Sequence, residues 1–251
     1  MDTDEFESRQ RAREYFHSLR VLPGAWAVIR LDGRSFSRFT EEHFEKPFDP
    51  RFGELMVGTA QTLLTELAGR YAYTESDEIS VLLPPDFTLF GRSVEKLVSI
   101  SAGIASAAFT RAAGEPAHFD ARIWLGVDVT DVADYFSWRQ SDATRCALNG
   151  WCYWTLRRNG SSAEEASRAL TGASTSDKNE LLFRYGINFA ELPAWQRRGV
   201  GLWWETHQHA GRDPVRGTEV TSTRRRVRVD RELPMKTDYR ELLQRLATQR
   251  V

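Results

Sequence analysis

Apolar and polar positions follow two rhythms along the chain, and their order predicts the elements. Ala25 to Leu31 is an almost continuous apolar run closed by the turn signal Asp32-Gly33, the pattern of a largely buried strand. Between Pro50 and Leu67, apolar side chains fall at Phe52, Leu55, Met56, Leu63, Leu64 and Leu67, one face of a helix with proline at its start. Tyr71 to Thr74 and Ile79 to Leu83 flank the acidic turn Glu75-Ser76-Asp77-Glu78, and the second run stops at Pro84-Pro85, which predicts a tight hairpin. A second amphipathic helix is predicted over about Phe90 to Arg111, and Ala121 to Leu125 reads as another strand. The order βαββαβ is that of the ferredoxin-like unit, whose first and third strands are antiparallel neighbours at the centre of the sheet. Asp32 ends the first strand and Asp77 precedes the third, so the topology brings two carboxylates from distant sequence to one edge.

After Val129 the texture changes to a long helix rich in aromatics and arginine, Asp134 to Arg158, stopped by Asn159-Gly160. Ser161 and Ser162 with Glu164 and Glu165 offer overlapping capping boxes for a short helix to Leu170. Ser176 to Glu180 opens a further helix to Tyr185, and Val200 to Glu205 pairs with Val220 to Val229 across a Gly/Pro/Arg loop. The chain therefore reads as α+β, with a ferredoxin-like unit in residues 1–130 and a second, helical region with small C-terminal β elements in residues 131–251.

At 251 residues, with 41% hydrophobic and 27% charged positions, the chain is long enough for a sizeable core, and no apolar run approaches the roughly 20 residues of a membrane span. A net charge of −1 excludes a field that would by itself attract nucleic acid, so any such partner is met by a local patch. Only four of the 34 basic residues are lysines, Lys46, Lys96, Lys178 and Lys236; the arginine excess suits phosphate contacts and equally a GC-rich genome. Cys146 and Cys152 are six apart on the long helix, face different sides and fit no zinc or redox spacing. With a charged segment Met1 to Arg13 that has no apolar signal core, they read as reduced thiols of a cytoplasmic protein.

The chemistry concentrates at the shared edge. Asp32-Gly33-Arg34-Ser35-Phe36-Ser37 offers a carboxylate, a backbone carbonyl for a divalent ion and helix-start amides for phosphate oxygens, or else a simple capped turn. Glu75 to Glu78 holds three carboxylates in four residues, a solvated hairpin tip unless Asp32 converges on it. Converging carboxylates repel one another and raise each other's pKa unless a cation lies between them, and this constellation suggests two-metal phosphoryl or nucleotidyl transfer. Lys46, Arg92 and Lys96 follow or open helices and are candidate triphosphate ligands near the acidic edge, or ordinary solvated charges. Lys178 stands at a helix start, either pairing locally or reaching a phosphate. Ser137-Trp138-Arg139-Gln140 offers stacking and bidentate donation, with Trp138 as core the alternative. His207 and His209 read as loop residues, and Arg224 to Arg228 as one basic face of a strand, fit for an RNA backbone or a charged sheet edge.

Seven segments occur in the order and at the intervals of one family: Ile29–Arg34, Phe44–Pro47, Ser76–Glu78, Phe119–Arg122, Asp134–Gln140, Ser176–Glu180 and Gly186–Asn188. Over about residues 20 to 205 the chain resembles the tRNA-His guanylyltransferases and their like-proteins, which add nucleotides in the 3′-to-5′ direction. The resemblance implies a polymerase-type palm joined to a helical tRNA-binding region, a homodimer or homotetramer, and GTP, ATP and other NTPs as ligands. By position it implies Asp32 and Asp77 as ligands of two Mg²⁺ ions, with the Gly33 carbonyl assisting. It implies nucleotide contacts from Asp32 through Ser37 and from Ser76, and basic groups for activation and transfer at Lys46, Arg92, Lys96 and Lys178. Where eukaryotic members carry His-Ile-Asn-Asn-Leu-Tyr-Asn, this chain has Thr144 to Gly150, with Thr144 at the histidine position. That departure points to the like-protein branch and to templated repair of truncated tRNA 5′ ends. The competing expectations are a nucleotidyl cyclase or oligonucleotide synthase on the same palm, and an RNA-binding protein whose palm is idle.

Overall fold

The computed structural model describes residues 3–212 and 219–249. A short helix α1 (Thr3–Arg11) precedes β1 (Trp26–Gly33), α2 (Phe36–His43), α3 (Pro50–Glu66), the hairpin β2 (Tyr71–Glu75) and β3 (Glu78–Leu83), α4 (Val94–Ala113) and β4 (Phe119–Gly126). There follow α5 (Val129–Arg158), α6 (Ala163–Leu170), α7 (Thr175–Arg184), α8 (Ala194–Arg198), β5 (Val200–Arg212), β6 (Glu219–Asp230) and α9 (Lys236–Thr248). The strands form one antiparallel sheet in the order β4-β1-β3-β2-β5-β6, so the βαββαβ unit expected from the pattern forms its first four strands and β5 and β6 extend it outward from β2. Among the described residues no helix is long and apolar enough to cross a membrane.

The sheet separates two cores because strand side chains alternate between its faces. Ala27, Ile29, Leu31, Ile79, Val81 and Leu83 pack against α3 and α4. Trp26, Val28, Tyr71, Tyr73 and Leu82 pack against the first half of α5 and α9. The second half of α5 turns Ala147, Leu148 and Cys152 toward α6 and α7 in a third cluster. One helix thus serves two cores from different faces, and it starts where Asp128 accepts from Thr130 N–H at 2.7 Å and Asp131 N–H at 2.9 Å.

Several expected boundaries differ. Asp32 and Gly33 are the last residues of β1, paired with Asp120 and Phe119, rather than a turn beyond it. The helix expected from Phe90 begins at Val94, because Phe90, Gly91 and Arg92 take positive φ in a short 3₁₀ turn. α7 starts at Thr175, since Ser174 and Asp177 form a reciprocal capping box two residues upstream of the expected opening. His207 and His209 lie within β5, opposite Arg224 and Ser222, and not in a loop; of that expected loop, residues 213–218 lie outside the described residues, as do Met1 and Asp2 at the start of the charged N-terminal segment. The last helix, α9, was not expected; its Tyr239, Leu242, Leu243 and Leu246 repeat at helical spacing and are buried.

Candidate active site

The expected juxtaposition forms. Asp32 pairs with Glu78 across β1 and β3, and the Gly33 N–H donates to the Asp77 carbonyl at 3.1 Å, fastening the two acidic segments together. Gly33 is required by close approach: a Cβ there would lie 2.4 Å from the Phe36 ring. Ser35 and Ser76, one in each acidic turn, both hold left-handed backbone, with φ of 61° and 49°. Burial and the neighbouring Asp32 push the Asp77 carboxyl above its ordinary pKa, opposed by its own backbone N–H, the Ser76 hydroxyl and Lys46. Asp32 stays partly open, with Arg122 at 3.8 Å, and that same guanidinium holds Asp120 at 3.0 Å.

Beside this edge, on the α3 side of the sheet, lies a cavity of about 360 Å³. Its polar lining includes Ser76, Asp77 and Lys46 together with Glu41, Glu45 and Glu75, and its aromatic lining Phe44, Trp154 and Trp195. The Lys46 ammonium donates to Thr40 Oγ1 and lies 5.9 Å from the centre of the Trp154 ring. Burial lowers its pKa, while the charges of Glu41 and Asp77 raise it. Ser37 lines the cavity from α2, whose first N–H groups have no helical partners and whose N-cap Ser35 makes no side-chain bond to them. Phe36 is 2% exposed and packs against Phe39, Phe52, Phe109 and Phe119, so its ring is core and only its backbone is left to meet a ligand. Arg34 is exposed, and its N–H is taken by the His118 carbonyl.

Two expected phosphate ligands are not brought here. Arg92 donates to the carbonyls of Val21 at 3.0 Å, Leu22 at 2.6 Å and Phe87 at 2.6 Å, and its guanidinium lies 4.1 Å from the centre of the Phe87 ring. Those groups flank the start of β1 and the end of β3, one strand length of about 17 Å from Asp77 at roughly 3.3 Å per residue. Lys96, in the first turn of α4, is exposed at that same far end. Lys178 lies on α7, where its carbonyl accepts from the Cys152 thiol at 3.3 Å, and it is not part of the cavity wall.

On the opposite, α5 side of the sheet, a buried ionic cluster backs the acidic turn. Arg139, 3% exposed, meets Glu78 at 2.8 Å, Asp142 at 3.2 Å and Glu75 at 3.4 Å, and Arg30 meets Glu78 at 2.9 Å. Burial, with Glu78 as a like charge, pushes Glu75 up to about 8. Two of the three carboxylates of the turn are therefore occupied by arginine, which leaves Asp77 to pair with Asp32. Trp138 is 52% exposed rather than core, with the Arg139 guanidinium 4.7 Å and that of Arg30 5.9 Å from its ring centre. Arg30 and Arg122 stand in two of the family segments but receive no role from the sequence, although alternation along β1 and β4 puts both on the face of Asp32. Thr144 donates to the Gln140 carbonyl at 3.0 Å and the Arg197 carbonyl at 2.8 Å, tying α5 to α8.

Comparison with known proteins adds to this geometry. A family model described as tRNAHis guanylyltransferase matches residues 9–126, and one described as Thg1 C terminal domain matches residues 130–243. A probable tRNA(His) guanylyltransferase of Mus musculus is 34% identical over 220 residues, covering 81% of this chain and 74% of its own. The solved structure of a bacterial tRNA(His) guanylyltransferase-like protein in complex with GTP aligns with a TM-score of 0.76 at 25% identity, over 98% of this chain and 100% of that one. The tRNA(His) guanylyltransferase of Saccharomyces cerevisiae aligns with a TM-score of 0.70 at 27% identity, over 76% of this chain and 90% of that one.

Proposed function

The chain belongs to the tRNAHis guanylyltransferase family of nucleotidyltransferases, which add G to the tRNA 5′ end, and on that premise we propose that it is a Mg²⁺-dependent enzyme that repairs tRNA 5′ ends by templated 3′-to-5′ addition. The observation that carries the reading is the meeting of Asp32 and Asp77 beside a cavity walled by Ser76 and Lys46. Among the described residues no group of three or more His, Cys, Asp or Glu is arranged to hold a metal. Two carboxylates and the Gly33 carbonyl are instead the sparse oxygen set that suits Mg²⁺, which keeps waters and takes substrate phosphates as its remaining ligands. The raised pKa of Asp77 beside Asp32 supports the fit, since a cation would relieve that repulsion. Bound there, a pair of such ions would stabilise the attacking and leaving oxygens of an in-line displacement.

The chain's own groups supply the rest. The cavity holds ATP or GTP, with Lys46, Ser76, Ser37 and the first amides of α2 directed at its phosphates and Phe44 and Trp154 at its base. A 5′-phosphate oxygen of the tRNA attacks the α-phosphorus and pyrophosphate leaves. The 3′-hydroxyl of the incoming nucleotide then attacks the activated 5′ phosphorus and expels the nucleoside monophosphate. Lys178 lies outside the cavity wall, so no contact with the nucleotide held there is assigned to it. The templated preference rests on Thr144, whose hydroxyl is spent on two carbonyls where the histidine of the eukaryotic stretch would stand. Assembly as a dimer or tetramer belongs to the same proposal; the exposed Phe6, Tyr15, Phe16, Leu19 and Leu22 of the N-terminal segment support burial against a second copy, which sedimentation would reveal.

The test is nucleotide addition to two 5′-monophosphorylated RNAs, a tRNA-His lacking its extra 5′ G and a tRNA missing its first paired nucleotide, with all four NTPs, ATP and Mg²⁺. We expect the truncated tRNA to be filled with the complementary nucleotide and Asp32→Ala to be inactive. Addition of G to tRNA-His alone would overturn the templated preference. Silence on both RNAs would overturn the whole reading in favour of a palm cyclase or synthase.

A further inference from the structure

The acidic edge has an open shelf on the side away from the cavity. Val28, Arg30 and Asp32 alternate onto the α5 face of β1, and Trp138 rises from α5 over the same face. Its indole is held by three neighbours: the Arg139 and Arg30 guanidiniums, and the Tyr135 ring edge-on at 5.8 Å. Each holder is itself fixed, Arg139 by three carboxylates, Arg30 by Glu78, and Tyr135 by Ser80 at 3.0 Å. A large aromatic that is half exposed yet immobilised is unusual in a solvated surface, where an exposed indole gains little from being pinned. Arg139 beneath it is spent on three carboxylates, and Arg30 meets Glu78 and keeps its Nε buried, so what the shelf turns outward is chiefly the aromatic surface of Trp138.

We propose that Trp138 is a stacking platform for the terminal nucleobase at the 5′ end of the RNA, separate from the base site inside the cavity. This rests on the nucleotidyl-transfer reading above. Two reactants must meet at Asp32 and Asp77 from different directions, and the walled cleft on one side is of a size for one free nucleotide. The shelf on the other side is open, which suits the end of a polymer whose next base pairs continue into solvent; a free nucleotide gains more from enclosure. Any base fits, because every base presents a π-face.

The probe is a 5′-monophosphorylated tRNA carrying 2-aminopurine as its first nucleotide, mixed with the full-length protein. Stacking on Trp138 quenches it. Expected is strong quenching with wild type, partial recovery of fluorescence with Trp138→Phe and near-complete recovery with Trp138→Leu. The KM for RNA should rise roughly tenfold to a hundredfold in Trp138→Leu, the range of one lost base–aromatic stack, with Trp138→Phe in between and the KM for ATP within twofold of wild type. Equal quenching in all three proteins, or a rise in the KM for ATP in place of RNA, would overturn the proposal. If wild type quenches the probe but never transfers a nucleotide, the functional reading fails and the platform stands; transfer with quenching indifferent to Trp138 is the reverse. Should Trp138→Leu not fold, Trp138→Phe alone still decides by its graded loss.

Discussion

Replacing Arg139 by Met removes the one guanidinium shared by Glu75, Glu78 and Asp142. The side chain is 3% exposed and its three partners lie within 3.4 Å. In the variant Glu78 keeps Arg30, but no described ion pair remains for Glu75. Breaking a buried ionic cluster from one side costs about 3–5 kcal/mol. For a chain of this size, at about 2–4 °C per kcal/mol, that lowers Tm by roughly 6–20 °C. The loss has a sign in pH. Glu75 is raised in the folded state from its ordinary 4.5 to about 8, so it takes up a proton on folding, and the stability linked to it is present below 4.5 and lost as pH rises through 8. Without Arg139 both Glu75 and Glu78 rise further, so stability falls more steeply across that window than in wild type. Urea and thermal unfolding of wild type and Arg139→Met at pH 5.5 and pH 8 should show the larger gap at pH 8, and adding Glu75→Gln should narrow it. A loss below about 1 kcal/mol, the scale of an exposed pair, or one equal at both pH values, would refute the account of Arg139 as the counterion of the acidic turn.

Other changes separate stability from chemistry. Asp77→Asn should abolish nucleotide incorporation while leaving Tm at pH 8 no lower than wild type, because the carboxyl is held above its ordinary pKa by burial and by Asp32; melts and labelled-nucleotide assays on the same preparation check both. Lys46→Met should raise the KM for ATP by roughly ten- to a hundredfold, the worth of one charge-assisted bond of about 1.5–3 kcal/mol, measured at saturating RNA. Arg92→Leu should do the opposite, lowering Tm by several degrees with the KM for ATP held, because its donors are spent on carbonyls at the far end of the sheet. Steady-state kinetics that show a higher KM in this variant would return Arg92 to the nucleotide site.

The element order was legible because each βαββαβ segment carries its own period, and the meeting of Asp32 with Asp77 follows from topology alone. Arg92 and Lys96 were misjudged although the same topology held the answer. A hairpin with its turn at the acidic edge must deliver the next helix at the opposite edge, and α4 begins there. Of the two readings open for Trp138 the core one fails, and Arg139 turns its bidentate donation to carboxylates of the chain itself. Val132, Tyr135, Phe136, Arg139 and Ala143 share one buried face of α5, so Arg139 sits where the helical period demands an apolar residue. Trp138 falls one position off that stripe and is exposed. What no local pattern carried is which carboxylates would meet the buried charge, since Glu75 and Glu78 lie some sixty residues away and are set opposite Arg139 only by the packing of α5 on the sheet.

The outward extension of the sheet governs the order in which the chain can be completed during synthesis. β2, which leads into the Asp77 turn, pairs with β3 on one side and with β5 on the other through Tyr71–Trp203 to Thr74–Val200. Tyr73 donates to the Arg198 carbonyl at 2.8 Å, and the Tyr71 and Tyr239 hydroxyls meet at 2.9 Å. A nascent chain that has emerged only through β4 has every strand of the βαββαβ unit, yet β2 is left with an open hydrogen-bonding edge and two unburied tyrosines. The strand that leads into the Asp77 turn is thus sealed by β5, which is made only after α5 to α8. A chain interrupted between β4 and β5 would therefore present the β2 edge as a template for pairing with another chain.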